Sequence, residues 1–525
     1  MNKIISLLGL VAIVAMSPLA ISAKKNTSAK PTKAKQEVVA KQTIQEATDS
    51  LKAIMTKAEN GDAVAQNEVG MWYYRGRHYN QDYKTALEWW ARAAKQGNAQ
   101  AIGNMGLCYQ TGNGVAADSV MATKLYLRSI KEGNETLFSQ NIDLAQKGSV
   151  FSNMLISACY QNGIGVSKDV NKAIPFLTEA AKKNCLSAQK DLALILLNGK
   201  NAKAAAPWFK KASDNGDISS TFYYGKMLLE GLGVAQDKKA GANYLLKAAE
   251  TGFPQAMYYV GKCYRTGDGL TKNPDQAVVW LRKAAGAGVS NAQWDLAQCY
   301  RQGNGTPINY DQALYWYGEA CAKGHTNAFK KLIADSLVNT PFMAYMKGMK
   351  AYSNKDFDEA IKQFKIVEKA KISDGKVMEA AITANNSYAK HNMKKGIKLL
   401  NDAAKTNAQA MYLLGALYEA GKGVDKDMTK AVEYINRSAD NGYGLAECAL
   451  ADMYFEGRGV GQSYEKAVEW YVKAAEQGQL TENAAKRYAS CYENGWGGLE
   501  VNKDKAEEIL KAFHKSNIAG LLKLI

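Results

Sequence analysis

Small and large residues follow one another along the chain in a frame that repeats. In the first instance Gly70 is followed three positions later by Tyr73 and three beyond that by Gly76. The frame returns with its small residue at Gly106, Gly225, Gly261 and Gly415, and the steps from 70 to 106 and from 225 to 261 are both 36 residues. Seven further units have serine, alanine or glycine in this slot: Ser157, Ala193, Ala297, Gly348, Ala384, Ala451 and Ala489. Twelve such units indicate a repeat protein.

Each unit predicts two helices joined by a turn. Apolar residues at helical spacing form the first helix, and its small residue lets a neighbouring helix approach closely. Glycine pairs such as Gly112 and Gly114 end this helix, because glycine adopts positive φ without strain. The second helix begins at a residue whose side chain accepts hydrogen bonds from the free amides of a helix N-terminus. In eight units this capping residue lies twelve positions after the small residue: Asp82, Asp118, Asp169, Asp237, Asn273, Asn309, Asp427 and Ser463.

Three units have a shorter turn, with the capping residues Asn201, Asp356 and Asn392 only eight positions after the small residue. Two steps between units, from 106 to 157 and from 297 to 348, are 51 residues rather than 36, which leaves room for about one added helix each. The predicted fold is therefore all-α, an α/α superhelical solenoid of about twelve helix-turn-helix repeats.

The combined pattern resembles a known repeat family. The segments Ala410–Gly442 and Ala256–Gly288 are similar to the Sel-one-like repeat, and the short-turn units resemble its parent, the tetratricopeptide repeat, most clearly in 347–360. The resemblance covers residues 60–517 and implies a right-handed superhelix that serves as an adaptor or scaffold. In the cysteine-rich branch of this repeat family, cysteines about eight residues apart form disulfides. The residue eight positions after Cys321 in this chain is Phe329, so that pairing is not expected here.

These patterns divide the chain into eight segments. We predict a signal peptide at 1–23, a flexible lysine-rich tether at 24–45, Sel-one-like repeats at 46–133, an insertion at 134–148 and further repeats at 149–324. A second insertion at 325–339 precedes tetratricopeptide-like repeats at 340–405, and 406–525 holds Sel-one-like repeats and a C-terminal cap.

The N-terminus has the pattern of a secretory signal. Lys3 precedes an apolar run from Ile4 to Met16, and small residues offer a cleavage site after Ala23. The protein is therefore expected to be exported to the periplasm or outside the cell. Because no other apolar stretch approaches about 20 residues, no stable membrane insertion is expected.

The chain carries a net charge of +17 that rests mostly on lysine, spread along the sequence. Specific nucleic-acid recognition favours clustered arginine, so most of this charge is interpreted as solvated helix faces and no nucleic-acid partner is predicted. Binding of an anionic membrane surface or of nucleic acid through the lysine excess stays open as a weaker hypothesis.

An enzymatic alternative comes from three strings that mimic the motifs of penicillin-recognising serine enzymes: Ser187 to Lys190, Ser213 to Asn215, and Arg265 to Gly267. It would make the protein a cell-wall-modifying or β-lactam-hydrolysing enzyme of the cysteine-rich repeat type. Ser-x-x-Lys recurs elsewhere, however, and the Ser213 string occupies a slot that reads Ala439-Asp-Asn441 in another unit. The regular residue pattern of the repeat accounts for these three short segments. We therefore predict that the protein is not an enzyme and that it has no catalytic residue and no cofactor.

Cysteine and histidine provide no metal-ligand pattern. The residues Cys108, Cys159, Cys263, Cys299 and Cys491 each lie two positions after the small residue, where they are predicted to be buried in the core. Neighbouring units lie too far apart for disulfides between equivalent positions. The histidines His78, His325, His391 and His514 are isolated, so no metal site is predicted.

The resemblance to tetratricopeptide-like stacks implies that the first helices line the concave face, where a partner would bind. Positions three before, one after and four after the small residue are predicted to be exposed on this face: Tyr258, Lys262 and Arg265 in one unit, and Trp294, Gln298 and Arg301 in the next. Aromatic residues beside cations suit the carboxylates of an extended peptide. The leading hypothesis is a noncatalytic scaffold for a protein or peptide partner, and the competing interpretation is that Tyr258 and Trp294 only pack against the next helix.

Overall fold

A computed structural model describes residues 33–335, 340–385, 387–476 and 478–512. The predicted signal peptide at 1–23, His514 and the end of the predicted C-terminal cap lie outside these described residues. The chain divides into two compact units, residues 1–215 and 216–525, and each is described separately.

Unit 1 is built from consecutive helices whose lengths repeat at 12 or 13 residues after the first. Its helices are α1 (Lys33–Glu59), α2 (Ala63–Arg75), α3 (Tyr83–Lys95), α4 (Ala99–Thr111), α5 (Ser119–Lys131), α6 (Glu135–Gln146), α7 (Val150–Asn162), α8 (Val170–Lys182), α9 (Leu186–Asn198) and α10 (Ala202–Asp214).

Helix α1 begins at Lys33, inside the segment 24–45 for which a flexible tether is predicted. The physical reason is composition, since lysine, alanine, glutamine and glutamate all favour helix and no proline or glycine interrupts them. Further along α1, Leu51, Ile54 and Met55 pack against Val69 and Trp72 of α2. This helix therefore covers the end of the first repeat.

Unit 2 continues the helix pairs. Its helices are α11 (Ile218–Glu230), α12 (Lys238–Glu250), α13 (Pro254–Thr266), α14 (Pro274–Gly286), α15 (Ser290–Gln302), α16 (Tyr310–Ala320), α17 (Thr326–Asp335), α18 (Pro341–Ser353), α19 (Phe357–Lys369), α20 (Ser373–Thr383), α21 (Met393–Ala403), α22 (Ala408–Ala420), α23 (Met428–Asp440), α24 (Gly444–Glu456), α25 (Tyr464–Glu476), α26 (Glu482–Asn494) and α27 (Lys503–Ala512).

The predicted all-α solenoid is confirmed. Helix makes up 75% of the structure, and the described residues contain no strand. The twelve predicted units correspond to twelve helix pairs, and α1, α6 and α17 are additional helices.

The predicted capping residues begin the second helices. In the first repeat, for instance, the Asp82 carboxylate accepts hydrogen bonds from the amides of Lys84 and Thr85. All eight long-turn caps accept a hydrogen bond from a backbone amide of the following helix. The short-turn caps Asn201, Asp356 and Asn392 do the same. A hydrogen-bonding side chain at these points thus fixes where each second helix starts.

The small residue of the frame lies where the two helices of a pair touch. A Cβ atom on Gly70 would lie 2.5 Å from the indole nitrogen of Trp90, and one on Gly106 would lie 2.5 Å from Cδ1 of Tyr126. Both distances are too short for atoms that are not bonded. The predicted close approach of neighbouring helices is therefore confirmed.

The two long steps between units each contain one added helix. Helix α6 lies within 134–148, and α17 lies within 325–339. A π-helical turn, Cys321–His325, joins α16 to α17, and Gly324 in this turn adopts a φ of 108°. The chain therefore changes direction at this turn.

Beyond that turn the chain of unit 2 folds back on itself. The C-terminus of α14 contacts the C-terminus of α25, although both are second helices of distant repeats. The Tyr315 hydroxyl donates a hydrogen bond of 2.7 Å to the carbonyl of Gly478, and Gln479 Nε2 donates one of 2.5 Å to Gln312 Oε1. Two runs of repeats are thereby joined along a contact that we call the seam, formed by α14, α16, α25 and residues 478–479.

Asp374 connects three repeats of unit 2. Its carboxylate is fully buried, accepts a 2.5 Å hydrogen bond from the amide of Tyr310 and a 2.9 Å bond from Asn407 Nδ2. Burial raises the pKa of Asp374 to about 7. This carboxylate therefore ties the N-terminus of α16 to α20 and α22.

The cysteines occupy the core as predicted. Cys108, Cys159, Cys263, Cys299 and Cys491 are all buried free thiols. Burial raises the pKa of Cys159 to about 12 and that of Cys108 to about 11. They serve as small apolar residues that fill space between helices.

Candidate functional site

The six predicted binding residues lie on two neighbouring first helices. Tyr258, Lys262 and Arg265 belong to α13, and Trp294, Gln298 and Arg301 belong to α15. Lys262 is exposed, and the other five side chains are half-buried. We call this surface the α13–α15 face.

Asp295 joins the two helices. Its carboxylate lies 3.0 Å from the Arg265 guanidinium, with only 27% and 16% of the arginine and aspartate side chains exposed. Burial, together with the nearby Asp295 carboxylate, raises the pKa of Tyr258 to about 12. The ion pair compensates the charge of Arg265, and it fixes α13 against α15.

Trp294 is held between two rings. Its indole packs edge-on against Tyr317 at 4.9 Å between centroids and stacks on His325 at 5.5 Å, with 15° between the planes. Tyr317 is fully buried, and burial raises the pKa of its hydroxyl. Trp294, which is predicted to be exposed, is thus held by two neighbouring rings and retains some exposed surface.

Arg301 is positioned without an ion pair. Its Nε donates a 3.2 Å hydrogen bond to the Tyr317 hydroxyl, and its Nη2 donates a 2.8 Å bond to Gln298 Oε1. Lys262 Nζ lies 5.9 Å from the ring centroid of Tyr259. Neither Lys262 nor Arg301 forms an ion pair with any residue that the structure describes.

The face therefore contains two kinds of cation. Arg265 is engaged with Asp295, whereas Lys262 and Arg301 retain their charge for a ligand. A carboxylate accepts hydrogen bonds from both ammonium and guanidinium groups, and a rigid indole provides apolar contact beside them. This arrangement is chemically suited to an acidic, extended peptide and contains no nucleophile paired with a base.

Sequence reasoning missed Asp295, Tyr317 and His325. Asp295 occupies the position two before the small residue, and Arg487 at the equivalent position pairs with Asp452 of the preceding first helix. Asn104, again at that position, donates a 3.0 Å hydrogen bond to Asn67. Polar residues in this slot are therefore a signal for contacts between consecutive first helices.

The three strings of the enzymatic alternative lie on repeat helices or at their ends, and two of them make contacts within the repeats. Ser213 is buried on α10, and Asn215 Nδ2 donates a 3.0 Å hydrogen bond to Gln189 Oε1 beside it. Ser187 lies on an exposed position of α9, and Arg265 pairs with Asp295. In the described part of the chain, no three His, Cys, Asp or Glu side chains come together as a metal site would require.

No helix among the described residues combines the length and the apolar character needed to cross a bilayer.

Comparison with protein families identifies the repeat. The Sel1 repeat matches ten segments that together make up more than half of the chain: 63–98, 99–134, 151–185, 186–217, 218–253, 254–289, 290–325, 408–443, 444–479 and 483–512. The α13–α15 face spans the sixth and seventh of these segments.

Individual relatives are distant. The chain is 33% identical over 73 residues to chitin synthase regulatory factor 3 of Schizosaccharomyces pombe, which is 13% of this chain and 8% of the length of the yeast protein. A protective antigen of uropathogenic Escherichia coli strains that displays an SLR fold is 23% identical, with 90% of this chain and 97% of that chain covered and a TM-score of 0.37. A Sel1 repeat protein from Oxalobacter formigenes is 25% identical, with 60% and 98% covered and a TM-score of 0.35.

Proposed function

Because the chain belongs to the Sel1 repeat family, whose members are in general protein-interaction scaffolds, we propose that it is a noncatalytic scaffold that binds a protein partner on the α13–α15 face. The observation that carries this proposal is that Lys262 and Arg301, which form no ion pair with a described residue, lie on the same face as the half-buried indole of Trp294. The partner presents an extended segment with acidic side chains or a C-terminal carboxylate.

The charge arrangement supports an acidic ligand over a basic one. Arg301 is already oriented by Tyr317 and Gln298, so little side-chain freedom is lost when its guanidinium meets a carboxylate. Trp294 is likewise fixed by Tyr317 and His325 before a ligand arrives. Rigid aromatic and arginine side chains are the types that dominate binding energy at protein interfaces.

The scaffold works in the cell envelope or outside the cell. This part of the proposal rests on the signal pattern at 1–23, with cleavage after Ala23. Fractionation of expressing cells, followed by N-terminal sequencing, tests it. The expected result is an envelope or secreted protein that starts near Lys24, and an uncleaved cytoplasmic chain would contradict it.

The binding proposal is tested with fluorescent peptides and a matched pair of lysine variants. We expect an acidic extended peptide to bind the wild-type protein and a basic peptide of equal length not to bind. Lys262→Glu replaces an exposed cation on the face, whereas Lys124→Glu makes the same change at an exposed position on α5 of unit 1.

The expected outcome is a loss of about tenfold in affinity for Lys262→Glu, since an attraction of roughly 1 kcal/mol becomes a repulsion. Lys124→Glu is expected to bind as wild type does. Equal affinities of the two variants, or a preference for the basic peptide, would remove the α13–α15 face as the binding surface.

A further inference from the structure

Unit 1 contains a second candidate binding surface, and its chemistry differs from that of the α13–α15 face. A cleft of about 410 Å³ opens between the first helices α2 and α4, the added helix α6 and the start of α7. We call it the amide cleft, because seven of its sixteen lining residues are asparagine or glutamine, and none of the sixteen is charged. Charged residues make up 22% of the chain, but none of them lines the amide cleft. The lining therefore does not attract ligands by charge.

Helix α6 turns an open repeat surface into a cleft. It approaches α4 at Gly103, where a Cβ atom would lie 3.1 Å from Nδ2 of Asn134, the N-cap of α6, and 3.4 Å from Cδ2 of Leu137. Leu137 on α6 and Leu107 on α4 pack against the same buried cluster. The residues added between two repeats therefore form one wall of the amide cleft.

The amides of the cleft are oriented by the protein and keep hydrogen-bonding capacity. Asn104 Nδ2 donates a 3.0 Å hydrogen bond to Asn67 Oδ1, which leaves the Asn104 carbonyl oxygen as an acceptor and the Asn67 amino group as a donor. The Tyr126 hydroxyl donates a 2.9 Å bond to Gln110 Oε1, so the Gln110 amino group also remains as a donor. Gln100 adds an exposed amide on α4.

A donor and an acceptor side by side match the N–H and C=O groups of a peptide backbone. Between these amides lie aliphatic side chains, among them Met71, Leu107 and Leu144, and Leu144 is 47% exposed. Sugar rings are usually recognised by stacking on exposed aromatic faces, whereas the aromatic residue that lines this cleft, Tyr126, is buried. The lining therefore favours a peptide over a carbohydrate.

We propose that the amide cleft binds an extended, uncharged peptide segment with aliphatic side chains, and that the amides of Asn67, Gln100, Asn104 and Gln110 hold its backbone. This proposal extends the proposed scaffold function. It rests on that function in one respect, namely that the ligand of the amide cleft is also part of a protein partner. The ligand here is neutral and the surface lies in unit 1, so each proposal fails independently of the other.

The test measures binding of a short acetylated and amidated peptide of alternating leucine and serine to the full chain. A second peptide of the same sequence has alternate backbone nitrogens methylated, so that it lacks those N–H donors. A neutral oligosaccharide serves as the competing ligand. The protein variants are Asn104→Ala, Gln100→Ala and the control Asn162→Ala, which removes an exposed amide of α7 outside the cleft.

We expect the peptide to bind, with an affinity that changes less than about twofold between about 50 and about 500 mM salt, because no charge is involved. Asn104→Ala and Gln100→Ala should each weaken binding by about five- to tenfold, as the loss of a hydrogen bond predicts, and Asn162→Ala should leave it unchanged. The methylated peptide should bind more weakly than the parent.

Three results would overturn the proposal: no peptide binding, binding of the oligosaccharide in place of the peptide, or unchanged affinity in both cleft variants. Gln100 is exposed, so its replacement leaves the fold intact, and thermal unfolding of Asn104→Ala separates a binding defect from misfolding. Unchanged binding of this neutral peptide by Lys262→Glu separates the amide cleft from the α13–α15 face.

Discussion

Replacing Gly286 with alanine tests the seam of unit 2, because the sign of the effect depends on whether the seam exists. Gly286 ends α14, and in an isolated helix alanine is more favourable than glycine by about 1 kcal/mol. In the folded structure, however, the new Cβ atom would lie 2.1 Å from the Glu476 carbonyl oxygen and 2.9 Å from the Gly478 amide nitrogen. Both are backbone atoms, so no rotation of a side chain relieves the overlap.

The expected result follows from two opposing effects, the overlap of the new Cβ atom with backbone atoms and the higher helix propensity of alanine. Overpacking of a filled contact costs roughly 1–3 kcal/mol, and a contact of this kind with backbone atoms lies toward the upper end of that range. After the propensity gain of about 1 kcal/mol is subtracted, Gly286→Ala should destabilise the seam by up to about 2 kcal/mol. The matched control is Gly461→Ala, where a Cβ atom meets nothing within 4 Å and φ is not positive. There the smaller entropy of the unfolded chain predicts a gain of about 0.4–1 kcal/mol.

The assay is hydrogen exchange by mass spectrometry on the peptides of α14 and α25, together with urea unfolding of the full chain. Gly286→Ala should accelerate exchange in both helices and lower the free energy of unfolding, whereas Gly461→Ala should do neither. If Gly286→Ala instead slows exchange and stabilises the protein as an ordinary glycine-to-alanine change does, the seam described here is refuted.

Further predictions concern the buried carboxylate, the thiols and the helix caps. The pKa of Asp374 is about 7 in the folded state and about 3.9 in an unfolded chain. Between these pH values the Asp374 carboxyl is protonated in the folded state but not in the unfolded state. The free energy of unfolding should therefore fall as pH rises from about 5 to about 7. This fall should be shallower in Asp374→Asn by urea unfolding, and a steeper fall would contradict the assignment. A thiol reagent should label the half-buried Cys185 fastest in the native protein, because the other seven cysteines are buried, and equal rates for all eight would contradict their burial. Asp82→Ala should lower the free energy of unfolding by about 1 kcal/mol and Asp82→Asn by much less, since asparagine also caps a helix; equal losses in thermal unfolding would show that the cap is not the cause.

Local features of the fold could be predicted because each depends on residues close in sequence. The Asp82 carboxylate bonds to amides two and three residues ahead, and Gly70 meets Trp90 twenty positions later within one helix pair. Such contacts recur in every repeat, so the pattern itself shows their spacing. This is why the helix caps and the close approach of paired helices agree with prediction.

The seam and the Asp374 connection could not be predicted from the repeat. The hydrogen bond from Tyr315 to Gly478 joins residues 163 positions apart, and that from Gln479 to Gln312 joins residues 167 apart. Nothing in the repeat frame marks these residues, and the turn at 321–325 that brings the runs together departs from the frame. The direction of the chain after an irregular turn depends on packing that a periodic pattern does not encode.

The candidate site falls between these two cases. Its six residues follow from position within the repeat, and the structure places them on adjacent helices. The pairing of Arg265 with Asp295 depends on the neighbouring unit, so the cation expected to be free is compensated, and Lys262 and Arg301 carry the charge instead. Position predicts which side chains share a face, and their partners decide which of them remain available.

The central claim, that the protein is a scaffold that holds a partner on the α13–α15 face, is tested most directly by site-specific photo-crosslinking in intact cells. A photoreactive amino acid at position 262 is compared with the same amino acid at position 124, and both positions are exposed. The scaffold function predicts a discrete crosslinked protein from position 262 and none from position 124. Absence of any adduct at 262, or the same adducts at both positions, would contradict it.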